Sequence, residues 1–288
     1  MKRFALAILL VAALLAACGS VSTPVPATST PQVEPAVPPT GTSQPSATPQ
    51  PRTLTVFAAS SLTQAFTEMG KDFEAANPGM TVTFNFTGSQ TLRTQLEQGA
   101  IADVFASANQ TEMNTLVTDN LVAANSSQLF LTNSLLVILP ANNPANVQTL
   151  QDLARPGIKL VLGDTTVPAG KYARQILSNL EKDPAFASNF STQVLANLVS
   201  NETDVKQVVA KVQLGEADAG IVYVSDVVAA PDLKTIEIPT VDNVIAKYPI
   251  AVLNNAPQPG LAANFIAYVL SSDGQAVLKK WGFIPVAP

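Results

Sequence analysis

Leu54-Thr-Val-Phe-Ala-Ala-Ser-Ser-Leu-Thr63 runs an apolar segment straight into residues that open a helix. The first half, Leu54 to Ala59, is apolar almost throughout, as expected of a strand covered on both faces. Beyond it, Leu62, Ala65, Phe66, Met69 and Phe73 recur three or four residues apart, one stripe of a helix that stops at Asn77-Pro78-Gly79. A strand that ends in serines at a helix N-terminus is a seat for an anion. Free N–H groups of the first turn, the positive end of the helix dipole and a hydroxyl all point one way. Ser61 also fits a plain N-cap, with Gln64 at the capping-box position, so the segment alone leaves both roles open. Phe86-Thr-Gly-Ser-Gln-Thr-Leu92 repeats the arrangement, and Ser89 after Gly88 is open to the same two readings. Neither segment places a lysine or arginine before its serine, so an anion seated there meets neutral donors.

Outward from this unit, strands and helices alternate. Met80 to Phe86 alternates apolar and polar residues as a strand does, Ser89 to Gln98 is a short helix closed by Gly99, Ala102 to Ala106 is a strand and Asn109 to Asp119 a helix. The pattern restarts at Ser134, with strands at Leu135 to Leu139, Ile158 to Gly163, Ala219 to Val224 and Thr235 to Ile238. Between them fall helices at Val147 to Leu153, Ala169 to Leu180 and Asp204 to Leu214, with Phe186 to Val194 helical or irregular. Tyr248 to Leu253 reads as a strand, followed by two helices, Leu261 to Ser271 and Gly274 to Trp281. Repeated βα units predict an α/β fold with mostly parallel sheets flanked by helices. Two sets of units, with a final segment that returns to the first, predict two lobes and a ligand cleft. Residues 53–133 and 248–288 form one lobe on this reading, and 134–247 the other.

The chain opens with a basic Met1-Lys-Arg-Phe4, an apolar run from Ala5 to Leu15, and Ala16-Ala17 before its only cysteine, Cys18. This is the layout of a secretory signal. Cysteine directly after the cut resembles the lipobox of bacterial lipoproteins, which implies cleavage after residue 17 and acylation of Cys18. The run is short for a membrane span, whereas several acyl chains on one residue make a stable anchor. Residues 18–52 then read as a disordered tether: nine of the 34 residues from Gly19 to Arg52 are proline and only Glu34 and Arg52 are charged. At roughly 3.1 Å per residue, its full reach is on the order of 100 Å. The folded part is expected outside the cytoplasmic membrane, tethered to it.

Composition excludes more than it suggests. Without Lys2 and Arg3, 14 basic residues stand against 21 acidic ones, a net charge of −7, which argues against a nucleic-acid partner. There is no histidine, and the sole cysteine belongs to the signal. Ordinary zinc, copper and haem sites are excluded, and so are nucleophiles that need a histidine base. No Gly-x-Ser-x-Gly elbow supports a hydrolase that would use Ser60 or Ser61. No cofactor, no direct metal-ion ligand and no enzymatic activity is expected.

Five segments, in order, carry a family resemblance: Val56-Phe-Ala-Ala-Ser-Ser-Leu-Thr63, Phe86-Thr-Gly-Ser-Gln-Thr-Leu92, Ala102-Asp-Val-Phe-Ala-Ser-Ala108, Gly163-Asp-Thr-Thr-Val-Pro-Ala-Gly170 and Ala219-Gly-Ile-Val-Tyr-Val-Ser-Asp226. With the closing Lys280-Trp-Gly-Phe283, they resemble the molybdate-binding proteins of ABC importers from about Leu54 to the C-terminus. The resemblance implies a two-lobed periplasmic-binding-protein fold of type II that binds molybdate, and tungstate with it, as a monomer and delivers it to a permease. It further implies that five residues wrap the tetrahedral dianion without a charged side chain: Ser61 and Ser89 by hydroxyl and backbone N–H, Ala169 and Val205 by backbone N–H, and Tyr223 by its phenol. Independently of the family, Ser61, Ser89, Ala169 and Val205 all read as helix starts, where dipoles and N–H donors hold anions.

Donor counting gives the expected selectivity. A fully deprotonated oxyanion only accepts hydrogen bonds, so a donor-only site satisfies it. A protonated phosphate brings an O–H that such a site leaves unpaired, at a cost of about 1–3 kcal/mol. Sulfate has the same hydrogen-bonding character as molybdate and differs in size. The same fold would also serve for sulfate or a small organic acid, the latter usually with an arginine on its carboxylate; Arg93 and Arg174 are the nearest candidates. Another branch of oxyanion binders adds carboxylate ligands, for which Glu202 and Asp204 are placed, though helix-terminal charges there complement the dipole equally well. The chain also departs from many relatives in having Val224 after the tyrosine and Thr165-Thr166 before Val-Pro-Ala-Gly.

Overall fold

The computed structural model describes residues 52–286. The expected signal segment, Cys18 and the tether up to residue 51 lie outside the described residues. β1 (Arg52–Ala59) passes through a single 3₁₀ turn, Ser60–Leu62, into α1 (Thr63–Ala76). There follow β2 (Met80–Thr87), α2 (Ser89–Glu97), β3 (Val104–Ala106), α3 (Gln110–Thr118) and β4 (Gln128–Asn133). The chain then crosses to β5 (Leu135–Leu139), a 3₁₀ turn at Leu150–Ala154, β6 (Leu160–Gly163), α4 (Pro168–Leu180), α5 (Phe190–Ala196) and β7 (Leu198–Glu202). After α6 (Val205–Gln213), β8 (Ala219–Tyr223), α7 (Val224–Val228) and β9 (Lys234–Glu237) it returns through β10 (Ala246–Val252), α8 (Pro259–Leu270), α9 (Ser272–Lys280) and β11 (Ile284–Pro285).

The strands form two sheets, ordered β11-β4-β10-β3-β1-β2 and β7-β6-β8-β5-β9, each flanked by helices in an α/β two-lobed fold. The sheets are mixed rather than mostly parallel. β1 runs parallel to β2 and β3, and β6 parallel to β7 and β8, as βαβ units require. β10 lies antiparallel to β3 and β4, and β5 antiparallel to β8 and β9. The reason is connectivity: β5 and β10 each arrive from the opposite lobe, not from a helical crossover on their own sheet, and enter their sheet in the reverse direction.

The sequence reading passes over three strands, one of them the two-residue β11, too short to show any pattern. β4 is half polar, and β7, Leu-Val-Ser-Asn-Glu, is an edge strand with alternate residues exposed, so neither shows the apolar run of an interior strand. A β-bulge at Tyr248/Pro249 accommodates the proline that a regular ladder position would reject.

One continuous core joins the two lobes, with Phe66, Phe130 and Phe265 from the first sheet's side and Val161, Ile221 and Tyr223 from the second. A second cluster, with Phe57, Leu92, Phe105 and Met113, holds α2 and α3 to the other face of the first sheet. The two connections between lobes are tied together by side chains. Asn243 donates to Leu135 O at 2.8 Å and accepts from Leu135 N–H at 3.2 Å, while the buried Asn133 donates to Ser225 Oγ at 2.9 Å.

Candidate functional site

The C-terminal ends of β1, β2, β6, β7 and β8 converge on one small cleft between the lobes, the position at which open α/β sheets bind ligands. Ser61 follows β1, Ser89 follows β2, Ala169 follows β6, Val205 follows β7, and Tyr223 is the last residue of β8. All five line the cleft, together with Ser60, Gly88, Ala108, Val167 and Pro168. Among the described residues no charged side chain lines it.

The local geometry decides what each serine does. The N-cap position of α1 is Leu62, and no side chain caps that helix. Ser61 instead places its Oγ 3.0 Å from the Tyr248 hydroxyl, in a fully buried contact. Ser89 is the first residue of α2 behind Gly88, and its Oγ accepts the Ala108 N–H at 3.0 Å. Neither hydroxyl is therefore spent on its own helix, and the capping alternative does not describe these residues.

The second lobe supplies backbone donors by a similar economy of structure. Pro168 at the first position of α4 has no N–H to offer, so that of Ala169 is the first the helix presents. A Cβ on Gly170 would overlap the carbonyl oxygens of Gly163 and Asp164, so glycine lets α4 sit directly on the end of β6. At α6, the Asp204 carboxylate accepts from the N–H groups of Lys206 at 2.9 Å and Gln207 at 3.2 Å. The Val205 N–H, one residue earlier, has no intrahelical partner available. Tyr223 is 1% exposed, and its hydroxyl has no hydrogen-bond partner among the described residues. Burial pushes this phenol well above its usual value of 10, so it remains an O–H donor. A buried donor left unpaired costs about 1–3 kcal/mol, which a ligand in the cleft would recover.

The cleft leaves only about 10 Å³ for the centre of a water-sized sphere, far below the roughly 300–1,000 Å³ of pockets for drug-sized molecules. The lobes close tightly around it. Gln90 Nε2 donates to Thr203 O across the gap at 2.8 Å, and a Cβ on Gly88 would fall 2.5 Å from the same oxygen. At the rim, the buried Glu112 of α3 meets Arg93 of α2 at 2.7 Å and Lys171 of α4, on the other lobe, at 3.1 Å. Lys206 pairs at 3.0 Å with the fully buried Asp226. Burial raises the Asp226 carboxyl above its ordinary value, and the Lys206 ammonium opposes that rise.

The remaining candidates are occupied elsewhere. Arg93 binds Glu97 and Glu112, and Arg174 donates to the carbonyls of Gly163 and Gly170 and to Asn201 Oδ1. Glu202 pairs with Lys211 at 2.6 Å and Asp204 caps α6, so neither carboxylate faces the cleft as a ligand. The sequence gives Ala108 no role in the site and marks Tyr248 only as the start of a strand. A tyrosine in an apolar strand carries no signal of the residue it meets 187 positions away.

Residues 54–284 match the family model of bacterial extracellular solute-binding proteins. The molybdate-binding protein ModA of Mycobacterium tuberculosis is 40% identical over 81% of this chain and 84% of its own length. A Bacillus subtilis protein described as a putative ABC transporter substrate-binding lipoprotein, YvgL, is 30% identical over 80% of this chain and 86% of its own. Among solved structures, the substrate-binding domain of a putative molybdenum ABC transporter from Clostridium difficile is 31% identical, with a TM-score of 0.61 over 82% of this chain and 99% of that one. A neutral anion seat at the strand ends of two closed lobes, and relatives matched over nearly the whole folded part, lead to one assignment: the chain belongs to the bacterial extracellular solute-binding proteins, and among them to the ModA molybdate-binding family.

Proposed function

We propose that this cleft binds molybdate, and tungstate with it, and that the protein delivers the anion to the permease of an ABC importer. The observation that carries the reading is the unpartnered, buried Tyr223 hydroxyl facing the N-termini that hold Ser61, Ser89, Ala169 and Val205. Every group in this set can donate a hydrogen bond, and none carries a charge. The set suits an anion that only accepts hydrogen bonds, and it supports a binding role over an enzymatic one, with no cofactor involved. The small volume and the engagement of Arg93 and Arg174 elsewhere favour an inorganic oxyanion over an organic acid. Ser61, Tyr223 and the N–H groups lie on different lobes, so bound anion stabilises the closed arrangement through contacts absent from an open one. Sheet membership supports lobes of 53–133 with 248–288 and of 134–247, with β10 beginning slightly earlier, at Ala246.

Calorimetric titration of the purified protein tests this. Molybdate and tungstate should bind below the micromolar range, with no heat from phosphate; heat from an organic acid alone would overturn the reading. Because burial keeps the Tyr223 phenol protonated, molybdate affinity should stay flat from about pH 6 to about pH 9. Affinity that falls across that window would show a titrating ligand group instead.

The protein's place outside the cytoplasmic membrane follows from its family. We further propose cleavage after residue 17, lipidation of Cys18, and residues 18–52 as the tether of a monomeric receptor. The lipobox-like Leu15-Ala-Ala-Cys18 and the lipoprotein description of the Bacillus subtilis relative support this. Cys18→Ala should move the protein from the membrane fraction to the soluble extracytoplasmic one; unchanged fractionation would rule out the anchor.

A further inference from the structure

Tyr248 stands behind the cleft, on the strand that returns from the second lobe, and the proposed function gives it no part. It is fully buried, packed edge-on against Phe130, Phe283 and Tyr223, with the Tyr223 ring centroid 5.7 Å away. Its hydroxyl lies 3.0 Å from Ser61 Oγ, where either oxygen could donate. A serine hydroxyl has one proton and two lone pairs. If Ser61 gives its proton to an anion in the cleft, its contact with Tyr248 has only one direction left: the phenol donates and Ser61 Oγ accepts.

Ser89 shows the same arrangement built from backbone. The Ala108 N–H can only donate, so at 3.0 Å it occupies an acceptor site on Ser89 Oγ and leaves the serine proton free. Both serines of the first lobe thus receive a hydrogen bond from behind. Their protons are turned towards the cleft, and an acceptor site on each oxygen is already filled.

We propose that Tyr248 is a positioning and specificity-determining residue: by donating to Ser61 Oγ it aims the Ser61 proton at the anion and fills one of the two lone pairs through which Ser61 could accept from a protonated oxyanion. This rests on the reading of the cleft as an oxyanion site. It gives donor-only selectivity a structural cause beyond the ligands themselves, since a bare serine hydroxyl can donate or accept with equal ease. Burial raises the Tyr248 phenol far above its ordinary range, so its donor state does not vary with pH under physiological conditions.

Tyr248→Phe keeps the ring and removes the donor. Titrated with molybdate and with hydrogen phosphate at about pH 8, the variant should bind molybdate about tenfold more weakly, in line with a lost hydrogen bond that supports a charged interaction. Its affinity for hydrogen phosphate, read by competition at millimolar concentrations where weak wild-type binding is measurable, should be unchanged or higher, because a further Ser61 lone pair is freed to accept. Equal weakening for both anions would mean a merely structural role, and no change for either would mean no role; both overturn the proposal. Wild-type protein that binds no molybdate would instead remove the oxyanion reading itself. If the variant fails to fold, proton NMR of the wild-type molybdate complex decides. A slowly exchanging Tyr248 hydroxyl proton with a cross-peak to the Ser61 β-protons is expected, and its absence would overturn the assignment.

Discussion

The cleft and its rim use opposite chemistry within a few residues of each other. Inside, hydroxyls and helix N-termini face the ligand space and no charged side chain among the described residues lines it. At the rim, Arg93, Glu97, Glu112 and Lys171 form a chain of ion pairs that crosses from one lobe to the other. Two cations and two anions cancel there, as Lys206 and Asp226 cancel beside α6. The difference separates two tasks. On the proposed reading, recognition of a dianion falls to dipoles that cannot be titrated or satisfied by the wrong counter-charge, while an ion pair links one lobe to the other. With the folded chain itself net negative, the global field does not attract the anion. Affinity must then come from the contacts made after closure.

The sharpest way to break this separation is to put a charge into the neutral region. Ser89→Asp replaces a donor by a carboxylate at the start of α2, where the helix dipole tolerates it and folding should survive. Towards a bound dianion the same carboxylate is repulsive in a poorly solvated space, and it deletes a hydrogen bond as well. Molybdate affinity should fall by more than about 1,000-fold, with the circular dichroism spectrum and melting temperature close to wild type. Binding within tenfold of wild type, measured by calorimetry, would place the anion away from Ser89.

The same contrast explains what could be read from the chain. Interior strands and amphipathic helices announce themselves by period, so β1, β5 and the stripes of α1, α4 and α6 are legible residue by residue. Edge strand β7, with alternate residues exposed, and β4, half of whose residues are polar, are not, because their burial depends on neighbours far along the chain. The mixed character of the sheets was hidden for a related reason. Strand direction is set by which lobe a strand arrives from, and local pattern carries no trace of that. In the site, the helix-start residues could be singled out by position and by family resemblance. Whether Ser61 caps a helix or faces the cleft could not, since the answer lies in its contact with Tyr248. The rim was illegible for the same cause: Arg93, Glu112 and Lys171 look like solvated helix charges until the closed lobes bring them together.

The rim can be tested without touching the donors. Lys171→Met removes the member of the ion-pair chain that comes from the second lobe, keeps most of the aliphatic stem, and leaves Glu112 paired with Arg93. Lys171 is 40% exposed, so its pair with Glu112 falls in the class of partly solvated bridges that contribute about 0.2–1 kcal/mol. A pair that is made only when the lobes close should act on release rather than capture. Molybdate dissociation should therefore quicken about twofold in the variant at low salt, with association unchanged. Raising sodium chloride from about 0.05 M to about 0.5 M should quicken dissociation from the wild type by a similar factor, since the Debye length then falls well below 10 Å. The variant should lack that salt dependence, having no cross-lobe ion pair left to screen among the described residues. Stopped-flow measurement of both rates decides the matter. If the two proteins respond to salt alike, the ion pair does not couple the lobes, and closure depends on the neutral contacts, with Gln90 and Thr203 the first to examine.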